Sequence, residues 1–160
     1  MEAIRKMKAV RRLFAAALGL LIGLCVCVSC GGAASDAPST DPETGRAIGE
    51  VAAFLEEQGH LVTSYGEGSA MLEALDAEMD DALDEPTEYP LAGYLFAKNA
   101  VTGELECEVF VFRTASDARK LFLLLDGGEQ FVEGVSEIRQ SGATVYMGLT
   151  DVLDEIERSL

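Results

Sequence analysis

The sequence predicts an α+β domain over residues 42–160, an antiparallel sheet of about four to five strands covered by helices. Two observations carry this. Strand-like runs come in neighbouring pairs, 91–98 with 104–113 and 135–140 with 143–148, each pair joined by a short turn. Stretches with apolar residues at helical spacing separate the pairs, so the chain orders as α-β-α-β-β-α-β-β-α. A basic and then apolar leader, residues 1–29, and a short tether of mostly small residues, 30–41, precede the domain.

Asp41-Pro42 fits an N-cap followed by proline at the first helical position. Ile48, Val51, Ala52 and Leu55 then recur at helical spacing, and Gly59 ends the helix. Leu61 to Tyr65 is a short strand candidate, closed by Gly66-Glu67-Gly68. Ser69 opens a second helix reaching Asp84, with Leu72, Leu75, Met79 and Leu83 on one face, and Pro86 and Pro90 bracket the loop after it. In the strand 104–113, Leu105, Cys107, Val109 and Val111 alternate first with Glu104, Glu106 and Glu108 and then with Phe110 and Phe112. One face is therefore apolar throughout and the other only toward its C-terminal end. Thr114 followed by Asp117 matches a capped helix start, and Ala118, Leu121, Phe122 and Leu125 follow before Gly127-Gly128. Ser141-Gly142 reads as a two-residue hairpin turn. Thr150 caps a last helix carrying Leu153, Ile156 and Leu160.

The leader has its own logic. Arg5, Lys6, Lys8, Arg11 and Arg12 face a single acid, Glu2, and residues 13–28 are uncharged and apolar. A bilayer span needs about 20 apolar residues, so this shorter run reads as a cleavable signal peptide rather than a permanent helix. The cations stay on the cytoplasmic side and send the remainder across. Cys25 and Cys27 follow the bulky Leu24 and Val26, whereas Cys30 follows Val28-Ser29 and precedes Gly31-Gly32. These residues resemble the prolipoprotein signals of bacteria, although Cys27 stands where that family usually has Leu. The resemblance covers residues 1–30 alone. It implies cleavage between Ser29 and Cys30, a diacylglyceryl thioether and acylation such as palmitate on Cys30, and anchorage to a bacterial cell membrane with the domain on the extracytoplasmic side. Two acyl chains, at about 0.8 kcal/mol per buried CH₂, hold a protein stably where one does not. Residues 31–41, GGAASDAPSTD, are too small and polar to fold and read as a flexible tether.

The chain carries 12 basic and 28 acidic residues, a net charge of −16. Removing residues 1–29 takes away 5 basic and 1 acidic residue, leaving 7 against 27, or −20. Nucleic-acid binding needs arrays of Lys and Arg and is excluded as a function, and an anionic membrane surface repels such a domain. The partners expected are the lipid bilayer through Cys30, and another envelope protein or a small ligand. With Cys25 and Cys27 in the leader and Cys30 acylated, Cys107 has no disulfide partner and is expected as a small buried apolar residue.

Two acidic groups are candidate sites. Asp76, Asp80 and Asp84 belong to an acid-rich helix that could attract a cation or a basic partner, but its spacing lacks the alternating ligands and turn glycine of a calcium loop. Period-two spacing puts Glu104, Glu106 and Glu108 on one strand face, where a carboxylate pair could serve glycosidic chemistry or where three charges could protect a solvent-facing sheet edge. The single histidine, His60, follows a helix-ending glycine and is expected at the surface of a turn. Tyr65, Tyr89, Tyr94 and Tyr146 either line a groove or fill a half-buried sheet face. No cofactor or metal site and no catalytic set is expected. The reading is a non-enzymatic envelope lipoprotein that binds a partner; the alternatives are a small carboxylate-dependent hydrolase or a protein that binds a small ligand or cation.

Overall fold

A computed structural model describes residues 48–83, 85–126 and 137–159. Residues 1–47, Asp84, residues 127–136 and Leu160 lie outside the described residues, and so do the expectations placed on Ser29, Cys30, the Asp41-Pro42 helix start, Asp84, the Gly127-Gly128 helix stop and the first two residues of the 135–140 strand. The elements are α1 (Ile48–Glu57), β1 (His60–Gly66), α2 (Ala70–Ala82), β2 (Gly93–Asn99), β3 (Leu105–Val111), α3 (Ala115–Asp126), β4 (Glu137–Ser141), β5 (Thr144–Gly148) and α4 (Thr150–Ser159). Type and order agree with the α+β expectation.

The helix starts follow local chemistry. Ser69 Oγ accepts from Leu72 N at 3.3 Å at the head of α2. Thr114 Oγ1 accepts from Asp117 N at 3.1 Å, which caps α3, and donates to Asp117 Oδ2 at 3.0 Å, which ties the cap to the acid three residues on. After α1, Gly59 takes a φ of 91°, which a side chain would resist, and its N–H closes on Glu56 O at 3.0 Å. The β4–β5 turn is Gly142-Ala143, one residue later than the Ser141-Gly142 read from sequence, because Ser141 still pairs with Thr144 and Gly142 holds a φ of 54°.

All strand pairs are antiparallel, in the order β1-β2-β3-β5-β4. Both faces of the sheet are covered. On one, Met71, Leu72, Leu75 and Met79 of α2 and Leu121, Leu124 and Leu125 of α3 pack on Tyr94, Phe96, Phe110, Val145 and Met147. On the other, Ile48, Val51 and Leu55 of α1 and Val152, Leu153 and Ile156 of α4 pack on Leu95, Ala97, Cys107, Val109 and Tyr146. The result is a helix–sheet–helix sandwich with two cores separated by the sheet. β3 is its central strand, between β2 and β5, so the reading of β3 as a solvent-facing edge is corrected: β5, which comes two strands later in sequence, covers the side that the β2–β3 hairpin leaves open. Among the described residues no helix is long and apolar enough to cross a membrane.

Candidate functional site

The site grows from an irregularity in β3. Cys107 pairs with Ala97 but Leu105 pairs with Lys98, so Glu106 is an extra residue, a β-bulge. The bulge turns Glu106 to the face of Asn99 and His60, while Glu108 points to the opposite face with Tyr94. The expectation that Glu104, Glu106 and Glu108 share one face is therefore corrected; strict alternation fails where a residue is inserted. Glu104 precedes the strand and accepts from Thr102 Oγ1 at 3.1 Å. The backbone around the bulge also dictates Gly148. A Cβ there would lie 2.3 Å from Glu106 O, and Leu149 N donates to that same carbonyl at 2.9 Å.

On the α1 face, both carboxylate oxygens of Glu106 have partners. His60 Nδ1 lies 2.8 Å from its Oε2, and Asn99 Nδ2 donates to Oε1 at 2.9 Å. The His60 and Glu106 side chains are only 14% and 13% exposed, so His60 is an oriented, half-buried imidazole rather than the free surface residue expected from sequence. Asn99 is the hinge pin of the same end of the sheet. Its Oδ1 accepts from Val101 N at 2.9 Å and Thr102 N at 3.1 Å, and its carbonyl takes Gly103 N at 2.9 Å. These bonds cross-link the hairpin 99–104, which carries Val101 at its tip, 94% exposed. Leu61, next to His60 on β1, is 57% exposed. Two large apolar side chains thus stand in solvent at the end of the sheet that the His60–Glu106–Asn99 network organises.

On the other face Glu108 is 3% exposed. Tyr94 OH donates to its Oε1, and Oε2 has no hydrogen-bond partner among the described residues. Burial pushes the Glu108 carboxyl above its ordinary pKa, against the opposing pull of the Tyr94 hydrogen bond. Tyr94 itself is raised by burial and by the carboxylate beside it. Its ring packs among Tyr65, Phe96 and Phe110, with centroids 6.2, 6.1 and 5.0 Å away. Tyr65 and Tyr94 belong to this face, Tyr146 to the other core, and Tyr89 to an exposed loop, so the four tyrosines line no common groove.

The acids of α2 have a structural use. Asp76 Oδ1 accepts from Leu91 N at 2.8 Å, Asp80 Oδ1 from Thr87 N at 3.2 Å, and Asp117 Oδ1 of α3 from Glu88 N at 2.8 Å. Three carboxylates thereby clamp the backbone of the 86–91 loop over the helices. Burial raises the Asp76 carboxyl, opposed by the Leu91 N–H and reinforced by the charges of Asp80 and Asp117. At Asp117 burial works upward as well, but the bonds from Glu88, Thr114 and Lys120 outweigh it and leave the carboxyl below its usual value. Among the described residues no three His, Cys, Asp or Glu side chains converge in a way that could hold a metal ion. Cys107 is buried, and burial with the Glu108 charge holds its thiol well above its ordinary pKa, which makes it a poor nucleophile.

Sequence reasoning missed the organised sheet end because bulges carry no composition signature. Comparison with protein-family models, curated proteins and solved structures gives no match.

Proposed function

We propose that this chain is a lipid-anchored protein of the bacterial cell envelope, held to the membrane through Cys30, whose domain binds another envelope component without catalysing a reaction on it. The anchor half of this reading rests on the basic run to Arg12, the apolar stretch 13–28 and the small-residue approach to Cys30. The binding half rests on one observation: a hydrogen-bonded hairpin and its neighbouring strand present Val101 and Leu61 to solvent beside the His60–Glu106–Asn99 network. Exposed apolar side chains on a preorganised frame lose little entropy on docking. A hydrolase using Glu106 with Glu108 is disfavoured, because the two carboxylates lie on opposite faces of the sheet and cannot flank one bond.

Two measurements test the two halves separately. Cys30→Ala is expected to lose incorporation of labelled palmitate and to leave the membrane fraction or persist as precursor; palmitate labelling retained in Cys30→Ala but lost in Cys25→Ala or Cys27→Ala would move the anchor. Wild type is expected to give a cross-linked partner band on intact cells, and Val101→Glu to lose that band while keeping the wild-type melting temperature. An unchanged band would remove the hairpin from the binding surface.

A further inference from the structure

The sheet has two edges, and they are treated differently. β4 is guarded: Arg139 binds Glu137 at 2.8 Å, Asp154 at 2.6 Å and Glu157 at 3.0 Å, laying a network of charges along that rim. β1, the other rim, is seven residues long, HLVTSYG, with no Lys, Arg, Asp, Glu or Pro. Charges, prolines and bulges are the usual protections of an edge strand, and β1 has none of them; its register with β2 is unbroken from His60 to Gly66.

The backbone direction of β1 follows from the hairpin beside it. Asn99 N donates to Glu104 O and Asn99 O accepts from Gly103 N, so the peptide groups of Asn99 face β3. Those of Lys98, Phe96 and Tyr94, by alternation, face β1 and meet Leu61, Thr63 and Tyr65. Val62 and Ser64 are left with N–H and C=O directed outward. An occupant of this rim must be an extended strand, and β1 is complementary to itself. Antiparallel about Thr63, Val62 meets Ser64 of a second copy in the hydrogen-bonding position, Thr63 meets Thr63, and the 57%-exposed Leu61 meets Tyr65. Aliphatic–aromatic pairs at such positions are favourable. The seven residues overlap fully in this register, and no like charges oppose each other within it, although the whole chain is strongly acidic.

We propose that β1 is a homodimer edge, at which two copies join their five-stranded sheets into one continuous ten-stranded sheet about a two-fold axis through Thr63. The interface is isologous, and confinement of both copies to one membrane surface raises their effective concentration. The pairing itself does not depend on the anchor.

The test uses the full chain in membranes. In this register the two Thr63 positions face each other at roughly 4.5–5.5 Å between Cβ atoms, within disulfide reach, whereas the two Leu61 positions are four residues out of step, roughly 13 Å apart. Thr63→Cys is expected to give a reducible dimer on mild oxidation, Leu61→Cys no more than the wild-type background. Ser64→Pro, which removes an outward N–H and leaves the β2 ladder intact, is expected to abolish the Thr63→Cys dimer. Thr63→Lys, which opposes two cations, is expected to convert the detergent-extracted protein from dimer to monomer in sedimentation, with the circular-dichroism spectrum of the folded domain retained. Absence of the Thr63→Cys dimer, equal cross-linking at 61 and 63, or a wild-type protein that sediments as a monomer would each overturn the proposal.

Discussion

Glu108→Gln should change how stability depends on pH. Glu108 sits in the central strand between its cross-strand partners Phe96 and Met147, with one hydrogen bond, from Tyr94, and a second oxygen without a partner among the described residues. Burial raises its pKa from the ordinary 4.5. Below pH 4.5 the carboxyl is protonated in the folded and unfolded chain alike and contributes no pH dependence. As pH rises above 4.5 the unfolded chain releases the proton while the folded domain retains it, so stability falls. One proton of difference gives about 1.4 kcal/mol per pH unit, and the fall ends above the raised pKa of the folded state. Glutamine keeps the shape and can accept the Tyr94 bond, but it does not titrate. Its amide leaves a donor unpartnered at a pH-independent cost of about 1–3 kcal/mol. The informative quantity is therefore the difference between wild type and Glu108→Gln across pH, not its value at one pH. Urea unfolding followed by circular dichroism at pH 4, 5, 6 and 7, at fixed ionic strength, supplies it. The variant should gain on wild type as pH rises, approaching about 1.4 kcal/mol per unit. A flat difference would refute the reasoning, since it would mean that Glu108 releases its proton equally in both states.

Gly148→Ala should destabilise by about 3 kcal/mol, the upper end for forcing extra volume into a packed site, because the added Cβ meets the backbone of Glu106 and Cys107 rather than a flexible side-chain end; thermal melts measure it, and a shift within error of wild type would mean that the bulge yields easily. Asp117→Asn should cost roughly 1.5–3 kcal/mol at pH 7, the range for a hydrogen bond to a charged group. Because the folded pKa of Asp117 lies below the ordinary 3.8, its contribution is present above that value and lost as pH falls through the folded pKa. The deficit of Asp117→Asn should accordingly shrink at the most acid pH, the opposite trend to Glu108.

Most of the fold was legible because its signals are local. The apolar spacing 118–125, the Thr114–Asp117 cap and the glycine after α1 each act within a few residues, and the structure follows them. The site was less legible because its geometry depends on relations between distant strands. An acid in an alternating strand ordinarily marks the solvent face, and that rule failed twice in β3: at Glu106 through an inserted residue, at Glu108 through burial. One clue was present, since Glu108 shares its face with Phe110 and Phe112, and an acid beside two phenylalanines in a central strand needs a polar partner within the core. The partner, Tyr94, is 14 residues away in sequence. His60 was misjudged for the same reason, because its carboxylate is 46 residues away.

The strand order also bears on how the chain assembles as it is made. β1, β2 and β3 lie side by side and come first, but β5 lies between β3 and β4. β3 therefore gains its second neighbour only when the last two strands join it. Until they do, β3 is the rim of an unfinished three-stranded sheet, and an open rim invites the strands of other nascent chains. Glu106 and Glu108 then flank that rim, one on each face of the sheet, and repel the like-charged rim of a neighbour. A carboxylate that weakens the finished domain at neutral pH thus guards the half-made one against pairing with a stranger.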